Sequence, residues 1–153
     1  MSRIRRILHA TDFSRASAAA FAKAVELAES NSAELVVLHV LAPAWPLTGE
    51  GYVSPKIYQE IAAAGRAHSQ KQLNALLARA KKAGVRAKGL LVDGSAPHER
   101  IARAARSQQV DLLVIGTHGR TGLSKLFLGS VAGRVVSIAP CPVLTVRGKR
   151  GKA

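Results

Sequence analysis

Three glycines and a serine carry the most suggestive chemistry in this chain. They lie in Gly116-Thr-His-Gly119-Arg-Thr-Gly-Leu-Ser-Lys-Leu-Phe-Leu-Gly129-Ser130, between the apolar run Asp111-Leu-Leu-Val-Ile115 and Val131-Ala-Gly-Arg-Val-Val136. That order reads as strand, glycine-punctuated loop and helix. A buried strand ending in such a loop delivers backbone N–H groups to the start of the next helix, where unpaired donors and the helix dipole favour an anion. Glycine lets the backbone approach a phosphate with no Cβ in the way. Ser130 can add a hydroxyl donor or cap the helix. An ordinary helix-entry turn with turn glycines is the other reading that this spacing allows.

Other polar side chains cluster around the same idea. Asp12 follows the first apolar run and is either a ligand-binding carboxylate or a turn residue that caps Ser14 or a neighbouring N–H. Arg120 and Lys125 lie within the glycine loop and either neutralise phosphate charge or point to solvent. His118 has the position for a general base, but no carboxylate near it in sequence could orient it. The chain has no GxxxxGK[ST] loop, no GxGxxG fingerprint and no GxSxG elbow. Thr11 precedes Asp12, so the acidic pair of a phospho-accepting domain is also missing. The chemistry is that of binding, and fast turnover is not expected.

The elements that must position these residues follow from periodicity. Residues 4–10 read as a first strand, with Ser14 capping a helix whose Ala18, Phe21, Ala22, Val25 and Ala28 recur at helical spacing to Asn31. Residues 34–40 form a second strand, whose near-continuous apolar run suits burial on both faces, with His39 a packed histidine. A loop at 42–55 holds three prolines and the only tryptophan. A long helix over 56–83 places Ile57, Ile61, Ala64, His68, Leu73, Leu76, Leu77 and Ala80 on one side and stops at Gly84. Residues 85–92 give a third strand, Pro97 opens a third helix to about Gln108, 111–115 a fourth strand, 129–138 a fourth helix and 141–146 a fifth strand. This alternation predicts an α/β domain with a parallel sheet covered by helices on both faces. In open sheets of this kind, ligands bind beyond the C-terminal strand ends where strand order reverses.

Composition bounds the rest. The 153 residues suit one domain, and a core with 48% apolar but only 4% aromatic residues must rest on Val, Leu, Ile and Ala. No apolar run approaches the roughly 18 residues of a membrane span, and the N-terminal arginines precede no export-signal segment. The lone Cys141 cannot form an internal disulfide and reads as a small buried hydrophobe, so a cytoplasmic protein is expected. The net charge of +14 arises entirely after residue 60, where Arg100, Arg103 and Arg106 share a helix face. Such a surface either attracts polyanions or is a solvated face, and the scarcity of aromatics weakens a single-strand-binding reading.

The pattern of GxxG, nine residues and Gly-Ser closely resembles the nucleotide-binding signature of the universal stress protein family. The resemblance spans nearly the whole chain, since Ala10-Thr-Asp-Phe-Ser14 looks like that family's first strand end and Ala139-Pro-Cys-Pro-Val143 like the approach to its last strand. It implies one open five-stranded sheet of order 3-2-1-4-5, with a nucleotide-binding domain over residues 1–147 and a basic tail over 148–153. It implies that Ala10, Asp12, Val40 and Ile115 hold adenine and ribose, while Gly116, Gly119, Gly129, Ser130 and Val131 line the phosphates. ATP, with Mg2+ or Mn2+ on its phosphates, would bias conformation or assembly in a stress-response switch, with slow hydrolysis at most. A homodimer through the fifth, edge strand and an unidentified downstream protein partner are implied too. Where the family's first strand often ends in proline this chain has Ala10, which bears on the adenine pocket. The rival readings are a basic nucleic-acid-associated protein, a nucleotide-free interaction module and an ATP-dependent enzyme, the last opposed by the missing catalytic motifs.

Overall fold

Two adjacent apolar strands set the architecture. In the computed structural model, which describes residues 3–43, 54–118 and 128–148, β1 (Arg6–Ala10) and β2 (Glu34–Leu41) pair in parallel, with Ile7 beside Leu35 and Ala10 beside Leu38. Alternate side chains go to opposite faces. Ile7, Leu35 and Val37 enter one core with Phe21 and Leu73, while Leu8, Val36 and Leu38 enter a second with Ile101 and Val135. Continuous apolar runs therefore signal burial on both faces here. Full burial of each large aliphatic side chain contributes about 1.5–3 kcal/mol.

The remaining elements complete a doubly covered sheet. They are α1 (Arg15–Asn31), α2 (Pro55–Lys82), β3 (Ala87–Asp93), α3 (Pro97–Ser107), β4 (Leu112–Gly116), α4 (Ser130–Ile138) and β5 (Val143–Val146). The strand order is β3-β2-β1-β4-β5 with every pairing parallel, as the family resemblance implies. Helices α1 and α2 contribute to the first core, α3 and α4 to the second. Among the described residues no helix is long and apolar enough to cross a membrane.

Local chemistry explains most element ends. The Ser14 side chain accepts a hydrogen bond from the Ser17 N–H at 3.2 Å and caps α1, and Ser32 ends that helix in the left-handed region at φ 52°. Ser54 caps α2 by accepting from the Ile57 N–H, with Pro55 in the first turn. Strand bounds differ from the sequence reading by one or two residues at several ends: β1 starts at Arg6, β3 at Ala87 and β5 at Val143, while β2 extends to Leu41.

Helix α2 corrects an expectation. Its 28 residues span about 42 Å, whereas the seven residues of the neighbouring β3 cover about 23 Å. The helix outruns the sheet, and Ile57 and Ile61 are 50% and 56% exposed while Leu73 and Ala80 are buried. The apolar stripe read along the helix is real in sequence, but only its C-terminal half meets the core.

Candidate functional site

The site grows from the central strand pair. Ala10 and Ile115 lie in register on β1 and β4, so both strands deliver their next residues to the same end of the sheet, beyond the C-terminal strand ends. The Thr11 N–H donates to the Leu38 carbonyl at 2.9 Å, extending the ladder one residue past β1. Then the chain turns sharply. The Asp12 carboxylate accepts from the Ser14 N–H at 2.9 Å and the Thr11 hydroxyl accepts from the Phe13 N–H at 3.0 Å. Between them Phe13 sits at φ 62°, a strained conformation for an aromatic residue. Its ring stacks on His39 at 4.3 Å between centroids, and His39 Nδ1 donates to the Thr11 carbonyl at 2.8 Å.

On the other side, the chain leaves β4 at Gly116 and re-enters the described fold at Leu128. Thr117 pins both ends of this excursion: its N–H donates to Val146 at 3.0 Å, and its carbonyl accepts from the Gly129 N–H at 2.6 Å. The Thr117 hydroxyl also lies 2.8 Å from His118 Nδ1. Gly129 is the N-cap of α4 at φ −57° and ψ 158°, with no side-chain cap, so the N–H groups of Ser130, Val131 and Ala132 open the helix.

These segments enclose one cavity of about 300 Å³, lined by Ala10, Asp12, Val40, Ile115, Gly116, Gly129, Ser130 and Val131 together with Thr11, Ser17, Leu38, His39, Pro97, Ile101, Thr117, His118 and Ala132. All the candidate residues read from the sequence thus converge, except Gly119, which lies outside the described residues, as do Arg120 and Lys125. The inner wall is apolar through buried Ala10, Leu38, Ile101 and Ile115, and the mouth is polar at exposed Ser130 and half-buried Asp12 and His118. An apolar slot next to a row of helix-opening donors suits a flat ring joined to an anionic group.

Two roles read from the sequence change. Ser130 is the first residue inside α4 and not its cap, which leaves its hydroxyl at the cavity mouth. Gly129 sets the helix start with its backbone, and its own N–H is taken by the Thr117 carbonyl. Gly116 has a second reason to be glycine: a Cβ there would stand 3.2 Å from the Ala16 carbonyl oxygen and 3.5 Å from the Ser17 Cα. Asp12 holds its turn and lines the cavity at once. His39 is buried as read, yet it also reaches the cavity wall, which a packed position within an apolar run does not reveal.

Beneath the site lies His9, fully buried on β1 and close to the Phe21 ring. Its Nδ1 donates to the Val114 carbonyl at 3.0 Å, while Nε2 is buried with no hydrogen-bond partner among the described residues. Burial lowers its pKa to about 4, opposed by the Val114 hydrogen bond and the charge of Asp12. His9 is therefore neutral near pH 7.

The sequence matches the Universal stress protein family over residues 3–147. It is 36% identical over 146 residues to universal stress protein YxiE of Bacillus subtilis, covering 93% of this chain and 98% of that one. The fold superposes on universal stress protein UspA from Lactobacillus plantarum with a TM-score of 0.81 at 27% identity, covering 96% of this chain and all (100%) of that one. It also superposes on a universal stress protein in complex with cAMP with a TM-score of 0.72 at 26% identity, covering 97% and 100% of the two chains. With five parallel strands in the order β3-β2-β1-β4-β5 and a sequence match along nearly its whole length, this chain belongs to the universal stress protein family.

Proposed function

We propose that the cavity takes an adenine nucleotide, ATP with Mg2+ or Mn2+ on its phosphates, and that occupancy sets the conformation or assembly of a stress-response switch. The observation that carries this reading is the meeting of an apolar slot at Ala10, Val40 and Ile115 with the uncapped start of α4 in one cavity. Ala10, Asp12, Val40 and Ile115 hold the base and ribose. Gly116, Gly119, Gly129, Ser130 and Val131 line the phosphates, with donors from the α4 N-terminus and the Ser130 hydroxyl. The cAMP complex of a structural relative supports the adenine assignment.

The described residues contain no group of three or more His, Cys, Asp or Glu side chains able to hold a metal ion. In this reading the divalent cation is held by the nucleotide's own phosphates. Hydrogen bonds to charged groups contribute about 1.5–3 kcal/mol each, so four or five offset an association cost of at least ~4 kcal/mol and give micromolar binding. The sequence carries no GxxxxGK[ST], GxGxxG or GxSxG motif, so this reading allows slow hydrolysis at most.

Assembly follows from the edge of the sheet. Leu144 on β5, with Val136 and Ile138 on the neighbouring α4, is exposed, and an apolar edge strand invites pairing with a second copy. The chain acts as a homodimer through β5. Isothermal titration with ATP, ADP, AMP and cAMP, each with and without magnesium, tests the ligand: micromolar binding of at least one supports the reading, and no heat with any of the four at millimolar concentration overturns it.

A further inference from the structure

The end of the sheet opposite the cavity carries a second, differently built surface. All five strands start there and the helices end there, since each helix runs back against its strands. Contacts place the charged residues together. The Glu34 N–H donates to the Arg5 carbonyl, the Leu35 N–H to the Arg86 carbonyl and the Asp111 N–H to the Arg6 carbonyl. The Arg6 guanidinium reaches the Gln108 carbonyl, two residues beyond Arg106 at the end of α3. Lys81 and Lys82 close α2 just before the turn into β3.

The carboxylates at this end are largely taken. Asp111 accepts from the Arg5 and Arg6 backbone N–H groups at 2.8 and 3.0 Å. Glu34 pairs with Arg6 at 3.1 Å and with Lys88 at 3.4 Å. Among the described residues at this end, Glu29, exposed near the end of α1, is the remaining carboxylate. Against it stand Arg3, Arg5, Lys81, Lys82, Arg86 and Arg106, all exposed and none in an ion pair among the described residues. The even charge of the first 60 residues in sequence does not persist in space, because Arg3 and Arg5 join the basic excess of the later elements.

We propose that this end of the sheet binds the phosphate backbone of duplex nucleic acid without reading its sequence. The cations are mounted on strand starts and helix ends, a rigid platform suited to a regular array of phosphates. No Phe, Tyr or Trp among the described residues lies at this end: Phe13 adjoins the cavity, Phe21 packs in the core and Tyr58 sits at the far end of α2. Among the described residues this end therefore offers no base-stacking partner of the kind a single-strand binder uses. Helix C-termini also favour cations through the dipole, which accounts for Lys81, Lys82 and Arg106 but not for Arg3, Arg5 or Arg86. The five residues of β1 cover about 17 Å and hold this platform apart from Asp12. Duplex binding therefore leaves the cavity open. The tail is a separate matter, since Gly148 packs on Ala16 at the start of α1, so the chain leaves the described fold at the cavity end.

The test is fluorescence anisotropy of the full chain with a labelled 25-base-pair duplex between 50 and 200 mM salt, about two helical turns of phosphates. Wild type is expected to bind, with affinity falling steeply as salt rises. The set Lys81→Gln, Lys82→Gln, Arg86→Gln and Arg106→Gln is expected to lose at least tenfold in affinity at 100 mM salt, with a logarithmic salt slope shallower by about 4. The charge-retaining set Lys81→Arg, Lys82→Arg, Arg86→Lys and Arg106→Lys keeps affinity within about twofold, which separates lost charge from lost folding. Saturating ATP with magnesium leaves the wild-type curve in place. The proposal is overturned by no duplex binding at 50 mM salt, by tighter binding of the single strand, or by equal binding of the glutamine set. Displacement by ATP, or binding to anionic vesicles in place of duplex, also overturns it.

Discussion

Ala10 of β1 stands in register beside Ile115 of β4, and the backbone that follows each strand leaves the sheet at the same C-terminal end. This juxtaposition brings the Asp12 turn, the Gly116 strand end and the start of α4 around one cavity. The proposed site depends on strand order more than on any single side chain.

Asp12 does two things that substitution can separate. Asp12→Asn keeps an oxygen for the Ser14 N–H, now 2.9 Å away, and is expected to melt within about 1 °C of wild type while losing nucleotide affinity. Asp12→Ala loses the turn as well and is expected to cost about 1–2 kcal/mol, because the strained Phe13 backbone no longer has its brace. Paired melting and titration curves check this. An Asp12→Asn protein that binds as wild type would limit Asp12 to its structural role.

Gly116 and Gly129 are expected to differ. Gly116→Ala places a Cβ 3.2 Å from the Ala16 carbonyl oxygen and should destabilise the fold by roughly 1–3 kcal/mol even without ligand. Gly129 has a backbone that any residue adopts, so Gly129→Val should retain stability within about 1 kcal/mol. Urea unfolding of both variants gives the comparison.

His9 makes stability depend on pH. Its folded pKa of about 4 lies below the ordinary histidine value of 6.5, so between these values the unfolded chain binds more protons. Its contribution, about 3 kcal/mol, is complete above pH 6.5 and is lost as pH falls through 4. His9→Asn keeps a donor for Val114 and removes the titration. The stability difference between wild type and this variant, by urea unfolding at pH 7, 5.5 and 4.5, should move steadily against wild type as pH falls; a constant difference would contradict the account.

Helix α2 and the β5 edge give two further expectations. Leu73→Ala should cost about 2–5 kcal/mol, whereas Ile57→Ala and Ile61→Ala should each stay within about 0.5 kcal/mol, following their exposures of 50% and 56%. Leu144→Asp should convert the expected dimer to a monomer of unchanged helix content, read by light scattering and circular dichroism.

Much of the fold was legible because its signals are local. Continuous apolar runs marked strands buried on both faces, and Ser14, Pro97 and Gly84 marked helix ends. The strand order came from the family resemblance, since no local pattern places β1 next to β4. Periodicity also could not show where α2 outruns the sheet: Ile57 and Leu73 look alike in sequence, and only the lengths of the neighbouring strands separate them. At the site, Asp12, Gly129 and Ser130 announced themselves by residue type. The contributions of Thr11, His39 and Thr117 come from long-range hydrogen bonds to Leu38, Thr11 and Val146, which leave no pattern along the chain.

The most direct test of the nucleotide reading is a thermal-shift titration with ATP and magnesium on wild type, Gly129→Val and Ser130→Ala at physiological salt. At 100 times the dissociation constant, a ligand stabilises the fold by about 2.7 kcal/mol, a rise of roughly 5–10 °C for a chain of this size. The expected result is that rise in wild type, none in folded Gly129→Val, and a reduced rise in Ser130→Ala. Equal shifts in all three proteins, or no shift in any, would contradict a nucleotide site at the start of α4.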